Sequence, residues 1–242
     1  MSVLDKQPEC TNDLEASLQS LRLLGAQAQP YGTEASVDYK AMLIERASSI
    51  RDQVMVLLNL EWHKLSPSKQ EDMLNEKGGS YSRWPCWNYD SLSLQRDYVQ
   101  RKFVQTAGNV YDALIKAQIP TDILKMGSCL EVVVLGCGPA PEMLAVKVFL
   151  QQYGRGASAK FRLVDNVNWD LAWSVTSSTD CITRDKVDLK LQDQSWWHQL
   201  AHAQIIIGWY VHEVLTDELT ESILKKLMEH RAIILLGCPA AG

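Results

Sequence analysis

One stretch constrains this chain more than any other, the run from Leu130 to Glu142. Leu130, Val132, Val133, Val134 and Leu135 are apolar, interrupted only by Glu131. The run is β-branched at its centre and too short for a long core helix. It reads as a strand buried on both faces, as in a parallel sheet covered on two sides. Gly136 and Gly138 end it. Glycine reaches backbone dihedrals closed to other residues and lets a ligand approach the main chain. Pro141 suits the first turn of a helix, where its missing N–H costs nothing, and residues 143–150 supply that helix with apolar side chains. In α/β sheets a strand–turn–helix of this kind places the turn at the carboxyl end of the strand, where ligands bind.

The chain beyond this point keeps alternating. Strands are expected at 130–135, 160–165, 187–191, 204–208 and 232–236. A helix over 141–153 is stopped by Gly154. Another begins at Thr216, with Asp217 and Glu218 in its first turn and Ile223, Leu224, Leu227 and Met228 on its apolar face. This order predicts an α/β fold, a mostly parallel sheet with right-handed crossovers. The residues before it read as helices over 13–24, 38–62, 66–76 and 91–118, with a linker at 25–36 and an aromatic segment at 80–90. That segment serves either as a lid over the cleft or as a loop pinned by bulky anchors. The expected division is a helical N-terminal extension over 1–118 and the sheet domain over 119–242, which fits a length of 242 residues.

Composition narrows the function classes. The net charge is −5, with no basic stripe and no strong nucleic-acid signature. None of the six cysteines forms a C-x-x-C pair or lies near a histidine at finger spacing, so neither a zinc site nor a disulfide scaffold is expected. Residues 1–12 lack an apolar segment of the secretory type, and no apolar run approaches the roughly 20 residues that cross a bilayer. The expectation is a cytoplasmic or nuclear protein with no membrane partner.

The glycine turn discriminates between two ligand classes. The dinucleotide pattern G-x-G-x-x-G requires a third glycine where this chain has Pro141. The pattern G-x-G-x-A is met by Gly136, Gly138 and Ala140. With the residues that follow, it resembles motif I of class I S-adenosylmethionine (SAM) dependent methyltransferases, over about residues 130–242. The resemblance implies a Rossmann-like sheet and SAM as cofactor, with Gly136, Cys137, Gly138 and Ala140 passing under its methionine and ribose. It implies that Asp165, which closes the second strand, accepts from both ribose hydroxyls, since one carboxylate matches two donors. It makes Asp193, after the third strand, the acceptor for the adenine amino group, with Gln194 the near alternative; a helix N-cap is the competing role for Asp193. Trp209 or Tyr210 would stack on adenine or substrate. His212 and Glu213 would be general bases, their other reading being an exposed polar pair at a helix start; Tyr210 completes the candidate catalytic set.

Two departures accompany the resemblance. Val134 stands where the family usually carries an acid, two residues before the first glycine. The chain also shows five strands, with the C-terminal helix and strands of the family pattern missing. An apolar fifth strand at an edge is a liability, to be covered by the N-terminal helices, by a partner or by a second subunit, unless the chain is a shortened form. The implied activity is methyl transfer to an unidentified acceptor, with catalysis chiefly by orientation and without a metal. The alternative is a non-catalytic SAM-fold binding or scaffold protein. A nucleotide-dependent oxidoreductase is disfavoured by Pro141.

Overall fold

The computed structural model describes residues 37–77, 91–120, 123–125, 127–176, 182–189, 194–209, 217–229 and 232–237. The expected helix at 13–24, the linker at 25–36, the aromatic segment and the cap at Thr216 lie outside these residues. From Val37 onward the chain forms one compact unit.

Three helices come first: α1 (Tyr39–Lys64), α2 (Pro67–Lys77) and α3 (Leu92–Lys116). Strands and helices then alternate as β1 (Cys129–Leu135), α4 (Pro141–Tyr153), β2 (Ser158–Asp165), α5 (Asp170–Thr176), β3 (Ile182–Lys186), α6 (Gln194–His198), β4 (Ile205–Trp209), α7 (Asp217–Met228) and β5 (Ile233–Gly237). All five strands are parallel, in the order β3-β2-β1-β4-β5. The direction of winding therefore reverses between β1 and β4, which opens a crevice at their carboxyl ends.

The burial of β1 explains why its sequence is apolar without alternation. Val132 and Val134 face one buried cluster, shared with Phe161, Leu163, Ile205 and Ile207. Val133 and Leu135 face a second, with Val164, Ile206, Trp196, Trp197, Ile223 and Leu227. Both faces of the sheet are covered, so neither set of alternate residues meets water. The first face carries more than the crossover helix α4. Leu43, Leu58, Val99 and Phe103 of α1 and α3 belong to the same cluster, so the N-terminal helices and the sheet share one core. Helix α1 starts where Asp38 accepts a hydrogen bond from the Ala41 N–H at 3.0 Å, the expected chemistry of an N-cap. The pair Lys40–Asp112, at 2.6 Å and exposed, runs from α1 to α3, and the Tyr111 hydroxyl bonds Gln152 of α4.

Strand three differs from expectation. It was expected at 187–191; the structure places it at Ile182–Lys186, paired with β2 from Phe161↔Ile182 to Asp165↔Lys186. As an outer strand it tolerates polar residues, and Thr183, Arg184, Asp185 and Lys186 offer no apolar run to find. Val187 and Leu189, which suggested a strand, instead pack against the second cluster. Helix α5 was not anticipated. It begins after Asn168, whose side-chain oxygen accepts from the Asp170 N–H at 2.9 Å.

At the other edge, Leu235 of β5 is buried while Leu236 is 48% exposed. Trp209 pairs in register with Gly237, and a methyl group at Gly237 would lie 2.1 Å from the Trp209 ring. Glycine is required there because the indole occupies the space of a side chain. Among the described residues no helix is long and apolar enough to cross a membrane.

The Trp209–Gly237 contact gives a test of this edge. Gly237→Ala is expected to cost about 1–3 kcal/mol by forcing the ring aside. In a Trp209→Leu background the same change is expected to cost much less. Urea unfolding of the four proteins of this cycle measures the coupling; additive costs would show that the ring does not sit on Gly237.

Candidate functional site

The site candidates gather at the carboxyl ends of β1, β2 and β4. The turn after β1 holds three left-handed residues in alternation: Gly136 (φ +59°), Gly138 (φ +51°) and Ala140 (φ +60°). The first two are glycines because that region is closed to most side chains. Ala140 accepts a strain of about 1–2 kcal/mol as the smallest residue bearing a Cβ, and it forms the N-cap of α4. The Cys137 N–H reaches the Val164 carbonyl at 3.2 Å, and the Ala140 N–H reaches the Cys137 carbonyl at 2.8 Å. The turn is thereby sewn to the end of β2.

Asp165 completes the seam. Its Oδ2 accepts from the Gly138 N–H at 2.7 Å, and its Oδ1 accepts from the Val167 N–H at 2.9 Å. The second bond is an Asx turn, which bends the chain out of the strand. Asp165 thus has a structural duty alongside the ligand contact that the resemblance implies.

Aromatic side chains surround the turn. Trp173 donates its indole N–H to the Gly138 carbonyl at 2.8 Å. Tyr98 and Trp169 stand with ring centres 5.8 Å apart, and a Cβ at Gly138 would lie 3.6 Å from Tyr98 and 3.8 Å from Trp169. The guanidinium of Arg184 lies 5.3 Å from the centre of the Trp173 ring. Gln95 of α3 donates to the Asn168 carbonyl at 3.0 Å, which ties the N-terminal helices to the same loop. Tyr98 falls within the helix expected over 91–118, and Trp169 and Trp173 are not among the residues that the sequence singles out. Their signal was an aromatic pair four residues apart, directly after the acid that closes β2.

Glu142 is the other residue that went unassigned. It is the second residue of α4 and 1% exposed. Its Oε2 has no hydrogen-bond partner among the described residues. Burial pushes its carboxyl up to about 8; its own backbone N–H opposes this, and the charge of Asp165 adds to it. The Cys137 thiol is also pushed well above its usual range, by burial first and then by Asp165 and Glu142. It stays protonated near neutrality, which makes it a poor nucleophile. Among the described residues no group of three or more His, Cys, Asp and Glu side chains is arranged to hold a metal ion.

Of the residues singled out from sequence, Gly136, Cys137, Gly138, Ala140 and Asp165 meet at this turn. Trp209 ends β4; β4 runs beside β1 with Ile207 opposite Val134, so Trp209 lies level with Gly136, its ring against Gly237. Asp193, Tyr210, His212 and Glu213 lie outside the described residues, and β3 ends at Lys186, earlier than the position assumed for Asp193. Val134, at the position where an acid was absent, is fully buried in the core. In comparison with known proteins, no family model matches this chain and no curated protein matches it.

The state of Glu142 makes stability depend on pH. Its folded value of about 8 lies above its ordinary 4.5. Its contribution is therefore full below about pH 4.5 and is lost as the pH rises through 8. The slope is about 1.4 kcal/mol per pH unit. Glu142→Gln removes this slope, so the variant is expected to gain on the wild type by on the order of 3 kcal/mol between pH 5 and pH 8. Urea midpoints at several pH values measure it; parallel curves would show that Glu142 ionises normally.

Proposed function

We propose that the chain binds SAM at the Gly136–Ala140 turn and transfers its methyl group to an acceptor. The observation that carries this reading is the Asp165 carboxylate bonded to the Gly138 N–H at 2.7 Å, at the crevice where the sheet order reverses. Two carboxyl side chains, Asp165 and Glu142, flank the start of α4. In a dinucleotide enzyme that helix N-terminus receives a pyrophosphate. Here the turn's N–H already holds an anion of the chain itself, and a second acid is buried beside it. A cationic ligand fits this surrounding and a pyrophosphate does not. The residues present therefore suit SAM, which carries a sulfonium and an ammonium.

When bound, SAM supplies a methyl group activated by its positive sulfur. The chain's contribution is binding and orientation. Asp165 accepts from the ribose hydroxyls, and the turn backbone passes under the ribose and methionine. Tyr98, Trp169 and Trp173 shield the turn from water. The neutral Cys137 thiol stays unreactive. In this reading Trp209 or Tyr210 stacks on adenine or acceptor, Asp193 meets the adenine amino group, and His212 or Glu213 takes a proton from the acceptor. The roles of these four outside the described residues rest on the resemblance in sequence.

A second reading has an observation of its own. Val134 is buried in the apolar core, so β1 contributes no carboxylate to the site. This favours a non-catalytic protein of the same fold, which would bind SAM or a partner without transferring a methyl group.

Calorimetry separates these readings. SAM is expected to bind and NAD is not. Asp165→Asn keeps the shape of the carboxylate while removing its charge, and it is expected to weaken SAM at least tenfold. An unchanged affinity in a folded Asn variant would overturn the role of Asp165. Uptake of label from methyl-labelled SAM into a fractionated cell extract supports transfer; binding without uptake supports the non-catalytic reading.

A further inference from the structure

The charge balance at the turn is incomplete. Glu142 is sealed from water, its Oε2 has no hydrogen-bond partner among the described residues, and no ion pair is formed by it there. The charged side chain that acts on it is Asp165 of β2, of the same sign, and the other ionisable group coupled to it is the Cys137 thiol of the turn. A buried acceptor with nothing to accept from costs about 1–3 kcal/mol. An acid serving only the helix dipole would do so equally well at an exposed position in the first turn. Its concealment within the ligand-binding turn is what needs an explanation.

We propose that Glu142 is the counter-charge for an ammonium group of the ligand held at the glycine turn, and that the arriving ammonium ionises it with release of a proton. This rests on the reading of SAM given above. The choice of ammonium follows from the orphaned oxygen: it needs an N–H donor, an ammonium offers three, and a sulfonium offers none. The step balances as a carboxylic acid and an ammonium giving a carboxylate–ammonium pair plus one proton, which passes to the buffer. Before binding the acid is held neutral by burial and by Asp165; afterwards the opposite charge at close range favours its ionised form. The ligand meets a site that carries one negative charge less than its sequence suggests, and binding is coupled to pH.

The experiment is calorimetry at pH 6.5 with SAM, S-adenosylhomocysteine and adenosine, each in two buffers of different ionisation enthalpy, on the wild type and on Glu142→Gln. At this pH an α-amino group is protonated, its ordinary value being about 7.7–8.0. S-adenosylhomocysteine keeps the ammonium and loses the sulfonium; adenosine lacks both. For the wild type, release of nearly one proton is expected with the first two ligands and none with adenosine, a measurement that needs no variant. In Glu142→Gln, shown by its melting curve to be folded, SAM and S-adenosylhomocysteine are expected to weaken at least tenfold, without proton release, while adenosine is unchanged. Equal weakening of all three would mean that Glu142 only supports the turn, and would overturn the proposal. So would unchanged binding by the variant, or binding by the wild type without proton release; in both cases the reading of SAM would stand. Failure of the wild type to bind SAM would remove that reading and this proposal together.

Discussion

The bond between the Gly138 N–H and the Asp165 carboxylate is the constraint on which the site depends. It joins the turn after β1, the central strand of the sheet, to the end of its neighbour β2. Everything around it follows from holding that one peptide in place. A left-handed bend at Gly138 aims the N–H at Asp165 and the carbonyl at the Trp173 indole. The Asx turn at Asp165 then sends the chain toward Trp169 and helix α5. Backbone amides in tight turns are ready-made anion sites, and in this chain the anion is built in.

The N-terminal helices take part in this arrangement because the core is continuous. Val99 and Phe103 bury α3 against the sheet, and Tyr98, next to Val99 on the same helix, reaches the glycine turn. Gln95, one turn back, bonds the loop after β2. A helix remote in sequence from the Gly136–Gly138 bend thus forms one wall of the site. Its position is set by apolar packing, and the polar contact of Gln95 registers it against the loop.

How far the fold was legible in sequence depended on how strongly each element was forced. Strand β1 and helix α4 were found nearly to the residue, because a doubly buried strand must be apolar and because Pro141 and Gly154 mark the ends of the helix. The long helix over Leu92–Lys116 was legible from its apolar period. Strand β3 was not, since an outer strand pairs through its backbone and places few demands on side chains. The nearby apolar residues Val187 and Leu189 are partly buried by packing on the second cluster and not by pairing. In the site, the glycine turn and Asp165 were legible because backbone conformation restricts the residue type. Tyr98, Trp169 and Trp173 were not, because their part comes from tertiary proximity. Gly237 carries no signal of its own in the sequence, because what demands a glycine there is the Trp209 ring on the neighbouring strand.

Glu142 shows why a charge is hard to interpret in sequence. An acid in the first turn of a helix is the commonest of placements, favoured by the dipole and usually exposed. What separates this one is the absence of water and of a partner, and neither can be seen without the packing of α4 on the sheet. Two acids at the start of one helix would normally repel, and the chain resolves this by keeping one of them protonated. The local charge therefore lies one unit below the formal count, and burial of the turn is what maintains the difference. A ligand ammonium would supply the missing donor and offset the charge of Asp165, whereas a phosphate would add a second anion to the same place. The electrostatics of the turn thus favour a cation over an anion at this place.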